Sequence, residues 1–248
     1  MKIHTIVRRP NDLEDSMEGE EVWNLLSAAF GKQKSLWDAD EKEEAPGVTE
    51  KLIHYAISYA DRPAPARAAI RTFVGVGSTA ELFSGWDEVR VSSSRDIADV
   101  LTTSGVEVNV WELAESIREF LNYSWKHLAS LDLNNAVEEN KAKLIESYLA
   151  NVPLQPKAAV DYLKVLWGRT NQMPYEAHTD RVLARLGMVN AEDFLGTKAA
   201  ALQKLVGSRK PLVYHRKMLQ LAKSVCLAKE PRCGVCPLSA GCSYSQNK

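Results

Sequence analysis

All four cysteines of this chain fall within one short stretch near its end: Cys226, Cys233, Cys236 and Cys242. A disulfide framework spreads its cysteines to staple distant loops, and a reducing compartment would keep them as thiols. Four thiols crowded into one loop point instead to a single shared ligand. The spacing is C-x6-C-x2-C-x5-C. Structural zinc is usually held by two short C-x2–4-C knuckles, and only Cys233 and Cys236 form one here. Thiolate-only ligation in a compact loop suits a [4Fe–4S] cluster, whose four ligands surround a cube. Pro231, Gly234 and Pro237 force the chain to turn around the central pair. Zinc is the alternative ligand, and a set of buried free thiols is a third.

The charge is as uneven as the cysteines. The 248 residues carry a net charge of −1, which taken as a total argues against a polyanionic partner. By position, residues 1–50 hold 6 Lys/Arg against 12 Asp/Glu, residues 51–156 hold 10 against 14, and residues 157–248 hold 15 against 6. The total is a cancellation between an acidic front and a basic tail. A basic segment is the electrostatic footprint of phosphate-backbone binding, although a solvated face carries the same charge. No apolar run approaches the roughly 20 residues of a membrane span. The opening residues lack the apolar core of a secretory signal, so the expected location is cytoplasmic, with no membrane partner.

Hydrophobic periodicity predicts an all-α fold. Helices are expected over 20–30 (ending at Gly31), 49–60 (capped by Thr49), 66–73, 92–103 (capped within a serine run), 110–129, 134–149, 157–167, 178–187, 198–206 and 211–227 (opening on Pro211). Residues 31–48 read as a polar linker or insertion. Glu88–Ser92 alternates like a strand but is short. Trp111, Trp125 and Trp167 are read as core residues on apolar faces. Three parts are expected: an acidic N-terminal extension over 1–48 with one helix packed on the C-terminal domain, a helical domain over 49–168, and a basic helical domain with the cysteine loop over 169–248.

At this point the residues carry a resemblance. The cysteine loop, with its flanking LAKEPRCGVCPLSAGC, resembles the iron–sulfur loop of the endonuclease III family of DNA glycosylases. Pro174–Val182 (PYEAHTDRV) resembles the family's V-D-T-H-x-x-R-V segment. Val152–Ala159 (VPLQPKAA) resembles its helix-hairpin-helix element, L-P-G-V-G-x-K-T-A. Order and spacing match in all three. The resemblance is strong over about residues 140–242, weaker over 50–139, and absent over 1–48.

The resemblance implies two helical domains in the helix-hairpin-helix glycosylase architecture, with a [4Fe–4S] cluster on Cys226, Cys233, Cys236 and Cys242. It implies a monomer acting in base-excision repair on double-stranded DNA with damaged bases, oxidised pyrimidines in particular, or abasic sites. Lys157 matches the family's amine nucleophile, which forms a Schiff base at the sugar C1′ and permits β-elimination, the AP-lyase step. Glu176 stands where the family has its catalytic Asp. DNA contact is assigned to Leu154, Gln155, Lys157 and Arg181, and a structural role near the site to His178. Three features depart from the pattern. Glutamate replaces aspartate at Glu176, the hairpin glycines are Pro153 and Gln155, and Ser58–Asp61 lacks the family's base-probing glutamine. They leave a second reading open: a protein that keeps fold and cluster and binds DNA structure or lesions without full catalysis.

Overall fold

The computed structural model describes residues 17–31, 47–61, 63–75 and 83–247. Among the described residues every regular element is a helix. Most of the linker expected over 31–48 lies outside them. Two compact units form. One joins residues 17–31 to 171–247, and the other holds the described residues from 47 to 170.

The second unit begins with α2 (Val48–Ala60) and α3 (Pro63–Phe73). Three short helices follow in α4 (Trp86–Val91), α5 (Ser94–Thr103) and, after the long α6 (Val110–Leu128), α7 (Ala136–Glu139). It closes with α8 (Ala142–Asn151) and α9 (Ala158–Leu166). Apolar residues at helical spacing build the core: Leu52, Ile53 and Ile57 from α2, Phe73 from α3, Ile97 and Leu101 from α5, Ile117, Phe120 and Leu121 from α6. The buried Tyr148 hydroxyl is satisfied, lying 2.7 Å from Ser124 Oγ.

Several local expectations change. Thr49 is not the cap of α2: it lies inside the first turn, buried, and its hydroxyl donates to Leu131 O at 2.6 Å. The capping acceptor comes from a distant loop, because Val48 N donates to Asn134 Oδ1 at 2.9 Å. The alternating stretch Glu88–Ser92 belongs to α4, whose first turn carries Asp87 and Glu88, acids suited to the positive end of a helix. The helix expected over 134–149 is broken between α7 and α8 at Asn140, whose backbone is extended. Trp111 and Trp125 are not core residues: they are 59% and 44% exposed. At about 100° per residue they lie about 120° and 80° around α6 from Ile117, at the margins of its apolar stripe. Trp125 is covered instead by the Arg90 guanidinium, 4.9 Å from its ring centre. Trp167 is half-buried and donates its indole N–H to Leu133 O at 2.9 Å. Ser93 does cap α5, in a reciprocal capping box with Asp96.

The first unit contains α1 (Gly19–Phe30), α10 (Ala177–Leu186), α11 (Leu195–Val206) and α12 (Pro211–Ser224). Two 3-10 turns, Cys233–Val235 and Ser239–Gly241, and the short α13 (Ser243–Gln246) complete it. The helix α1 packs against α11 and α12, and α12 packs against α10. Val22 and Leu26 of α1 join Val182, Leu183, Leu205, Met218 and Leu221 in one core, reached from the cysteine loop by Leu238 and Cys242. Gly19 sits where α1 meets α11: a Cβ there would stand 2.5 Å from Leu205 O, so glycine is what allows the two backbones to approach.

Candidate functional site

The hairpin between α8 and α9 is six residues long. Pro153 and Pro156 have no N–H to give. Gln155 N donates inward to Ser116 Oγ at 3.1 Å, while its side chain is exposed. Leu154 is buried as a whole residue, 2% exposed, so neither its side chain nor its backbone is presented to a ligand. Lys157 stands at the head of α9 with an exposed side chain. Its ammonium makes no ion pair or hydrogen bond among the described residues. A cation at a helix N-terminus is opposed by the macrodipole, so the fold gains nothing electrostatically from this lysine.

In the other unit, Glu176 is the N-cap of α10. Its residue is extended, and its carboxylate curls over the first turn. Oε1 accepts from Thr179 N at 2.7 Å and Thr179 Oγ1 at 2.5 Å, and Oε2 accepts from His178 N at 2.6 Å. Glu176 is thus the cap of α10, and is 7% exposed. It lines an open pocket with Tyr175, Ala177, Asp180, Asp193, Leu195 and Lys198. The Tyr175 hydroxyl donates to Asp180 Oδ1 in a short hydrogen bond. Burial, reinforced by that bond and the Asp180 charge, pushes the Tyr175 phenol well above its ordinary range.

Arg181 is committed within its own unit. Its guanidinium donates to Cys226 O at 3.0 Å and Ala222 O at 3.0 Å, and its NH2 lies 3.2 Å from His178 Nδ1. His178 therefore touches the arginine that holds the start of the cysteine loop. One turn later Arg185 grips the same loop, donating to Leu227 O at 2.6 Å, Ala228 O at 2.8 Å and Cys226 Sγ at 3.3 Å. In return Cys242 Sγ donates to Arg185 O at 3.2 Å.

Cys226, Cys233, Cys236 and Cys242 all line one pocket, with Arg185, Pro231 and Tyr244 among its walls. Burial pushes the Cys236 thiol up, and the other three thiols act in the same direction. Among the described residues no group of three or more His, Cys, Asp or Glu is placed to hold a metal ion. Four thiols lining one pocket are a donor set that either a thiolate-ligated iron–sulfur cluster or a zinc ion takes.

Sequence reasoning did not name Arg185, Lys198, Tyr175 or Asp180 as site residues. The spacing of Arg185 four residues after Arg181 places both on one face of α10. Tyr175 and Asp180 occupy the positions just before the cap and four residues after it, which meet at the start of a helix.

By sequence, no family model and no curated protein matches this chain. By structure, it is similar over 93% of its length to a trapped endonuclease III–DNA covalent intermediate in an estranged-adenine complex. That match covers 98% of the other chain, with TM-score 0.61 and 15% identity. A non-covalent endonuclease III–DNA complex matches with TM-score 0.63 and 14% identity, with the same coverage. A thermostable thymine-DNA glycosylase matches 92% of this chain and 98% of its own, with TM-score 0.59 and 15% identity. The chain has the endonuclease III fold.

Proposed function

We propose that this chain is a base-excision repair DNA glycosylase with AP-lyase activity, acting on double-stranded DNA that carries damaged bases or abasic sites. The observation that carries this reading is likeness over nearly the whole chain to glycosylase folds, one of them trapped as a covalent DNA intermediate. The three sequence motifs retain their order within that fold.

In the proposed chemistry Lys157, once deprotonated, attacks the sugar C1′ as the C1′–base bond breaks and the damaged base departs. The resulting iminium draws electrons, a proton leaves C2′, and the bond to the 3′ phosphate breaks by β-elimination. An amine that the fold does not otherwise use supports this role. Glu176 is the proposed carboxylate that stabilises positive charge developing on the sugar. The four cysteines would hold a [4Fe–4S] cluster, which when bound would order the C-terminal loop. Arg181 and Arg185 brace that loop from α10. The target base must leave the stack to be reached.

One observation favours the second reading, a DNA-structure or lesion binder with impaired catalysis. With two prolines, the Gln155 N–H turned inward and Leu154 buried, the hairpin offers a phosphate few amides ahead of α9. The two readings separate in a strand-cleavage assay on a duplex with one abasic site. The lyase reading predicts cleavage by the wild type and none by Lys157→Ala. Salt-dependent binding without cleavage supports the second reading instead.

A further inference from the structure

Glu176 is fixed from more than its own bonds. The residue before it, Tyr175, donates its hydroxyl to Asp180, four positions after the cap. These are the positions that a hydrophobic staple joins to set the angle at which the chain enters a helix. Here the staple is a hydrogen bond. The same Asp180 oxygen takes Lys198 Nζ at 3.1 Å, and Lys198 also donates to Ala191 O at 3.0 Å. The Lys198 side chain is 12% exposed and that of Asp180 37%, so only the lysine end of this ion pair is shielded from water. It ties the first turn of α10 to α11 and to the loop that precedes α11.

Lys198 and Tyr175 also occupy Asp180. Without them an unpaired carboxylate would stand in the first turn of α10, repelling Glu176 and competing for the amides that Glu176 now holds. All of these groups line one open pocket with Glu176, so the carboxylate they restrain borders space that a ligand can enter. We infer that Tyr175, Asp180 and Lys198 act as positioning residues, holding the Glu176 carboxylate in the direction its role requires. The inference rests on the glycosylase reading for that role. Glutamate has one more rotatable bond than aspartate, and the staple and ion pair restrain the backbone and helix turn that carry it.

The test uses the full chain, as Tyr175→Phe, Lys198→Met and Lys198→Arg. Amide hydrogen exchange at His178 and Thr179 reads the grip of Glu176 directly. Steady-state cleavage of an abasic-site duplex reads kcat and KM, and thermal unfolding reads stability. Tyr175→Phe and Lys198→Met should speed exchange at both amides and lower kcat on the order of tenfold or more, since displacement by about 1 Å costs up to about a hundredfold. KM should stay within about twofold, because uniform binding is untouched. Lys198→Arg, which keeps the charge, should restore most of kcat. Unchanged exchange at His178 and Thr179 overturns the inference. So does a kcat that is retained in Tyr175→Phe, or lost equally in Lys198→Met and Lys198→Arg. If the wild type cleaves nothing, the glycosylase reading fails, while the exchange measurement still decides whether these residues hold Glu176.

Discussion

Replacing Glu176 separates its capping role from its chemical one. In Glu176→Ala the first turn of α10 loses all three bonds to the carboxylate. Loss of an N-cap costs about 1 kcal/mol, up to about 2. Thr179 is 1% exposed, so water cannot readily replace the lost acceptor, and a buried unsatisfied donor costs about 1–3 kcal/mol. Together the loss is about 2–5 kcal/mol. A chain of this size loses roughly 2–4 °C of Tm per kcal/mol, so a fall of roughly 4–20 °C is expected. Glu176→Gln should fall between, because its amide supplies one acceptor and turns a second donor toward a donor. Glu176→Asp keeps a favoured cap and should stay within about 1 kcal/mol of wild type. It nevertheless moves the carboxylate by about 1 Å, enough to slow lyase turnover by up to about a hundredfold. Thermal unfolding followed by circular dichroism, with cleavage kinetics on the same samples, reads both. A Tm for Glu176→Ala equal to wild type would refute the capping geometry. Full lyase activity in Glu176→Ala would refute the chemical role.

Other consequences are open to direct measurement. Lys157→Ala should leave stability within about 0.5 kcal/mol of wild type, as exposed substitutions do, so loss of cleavage would not reflect unfolding. Trp167→Phe removes the bond to Leu133 O and should cost about 1 kcal/mol in chemical denaturation; an unchanged midpoint would contradict that contact. Burial, with the Arg216 charge beside it, holds His215 at about 3, down from 6.5. The unfolded chain takes up this proton as pH drops below 6.5 while the folded chain does not until about 3, so stability present above 6.5 is lost between those values. His215→Gln should flatten that acid-side slope in urea titrations, and an identical slope would show that other groups set it. Protein purified anaerobically should show visible thiolate-to-iron absorbance that Cys236→Ser reduces or abolishes; a colourless protein holding zinc would support the zinc alternative.

Much of the helical layout was legible because it rests on local rules. Apolar residues at helical spacing marked α6, a serine run marked the start of α5, and Pro211 marked the start of α12. What escaped was non-local. Thr49 looks like a cap, but the acceptor is Asn134, far along the chain. Trp111 and Trp125 sit at the edges of an apolar stripe, where a small rotation of the helix decides between core and solvent. At the site, the four cysteines that their spacing assigned to one shared ligand line one pocket. The bracing of that loop by Arg181 and Arg185 depends on how α10 packs against α12, which no spacing encodes. Gln155 was assigned to DNA, yet its amide turns toward Ser116, a partner 39 positions away.

The central claim is that Lys157 is the amine that attacks the sugar. Incubation with an abasic-site duplex and borohydride would reduce the Schiff base to a stable adduct, which digestion and mass spectrometry then map. The account predicts a protein–DNA adduct on the peptide that carries Lys157, and its disappearance in Lys157→Ala. No adduct with the wild type, or an adduct that persists in Lys157→Ala, would contradict it.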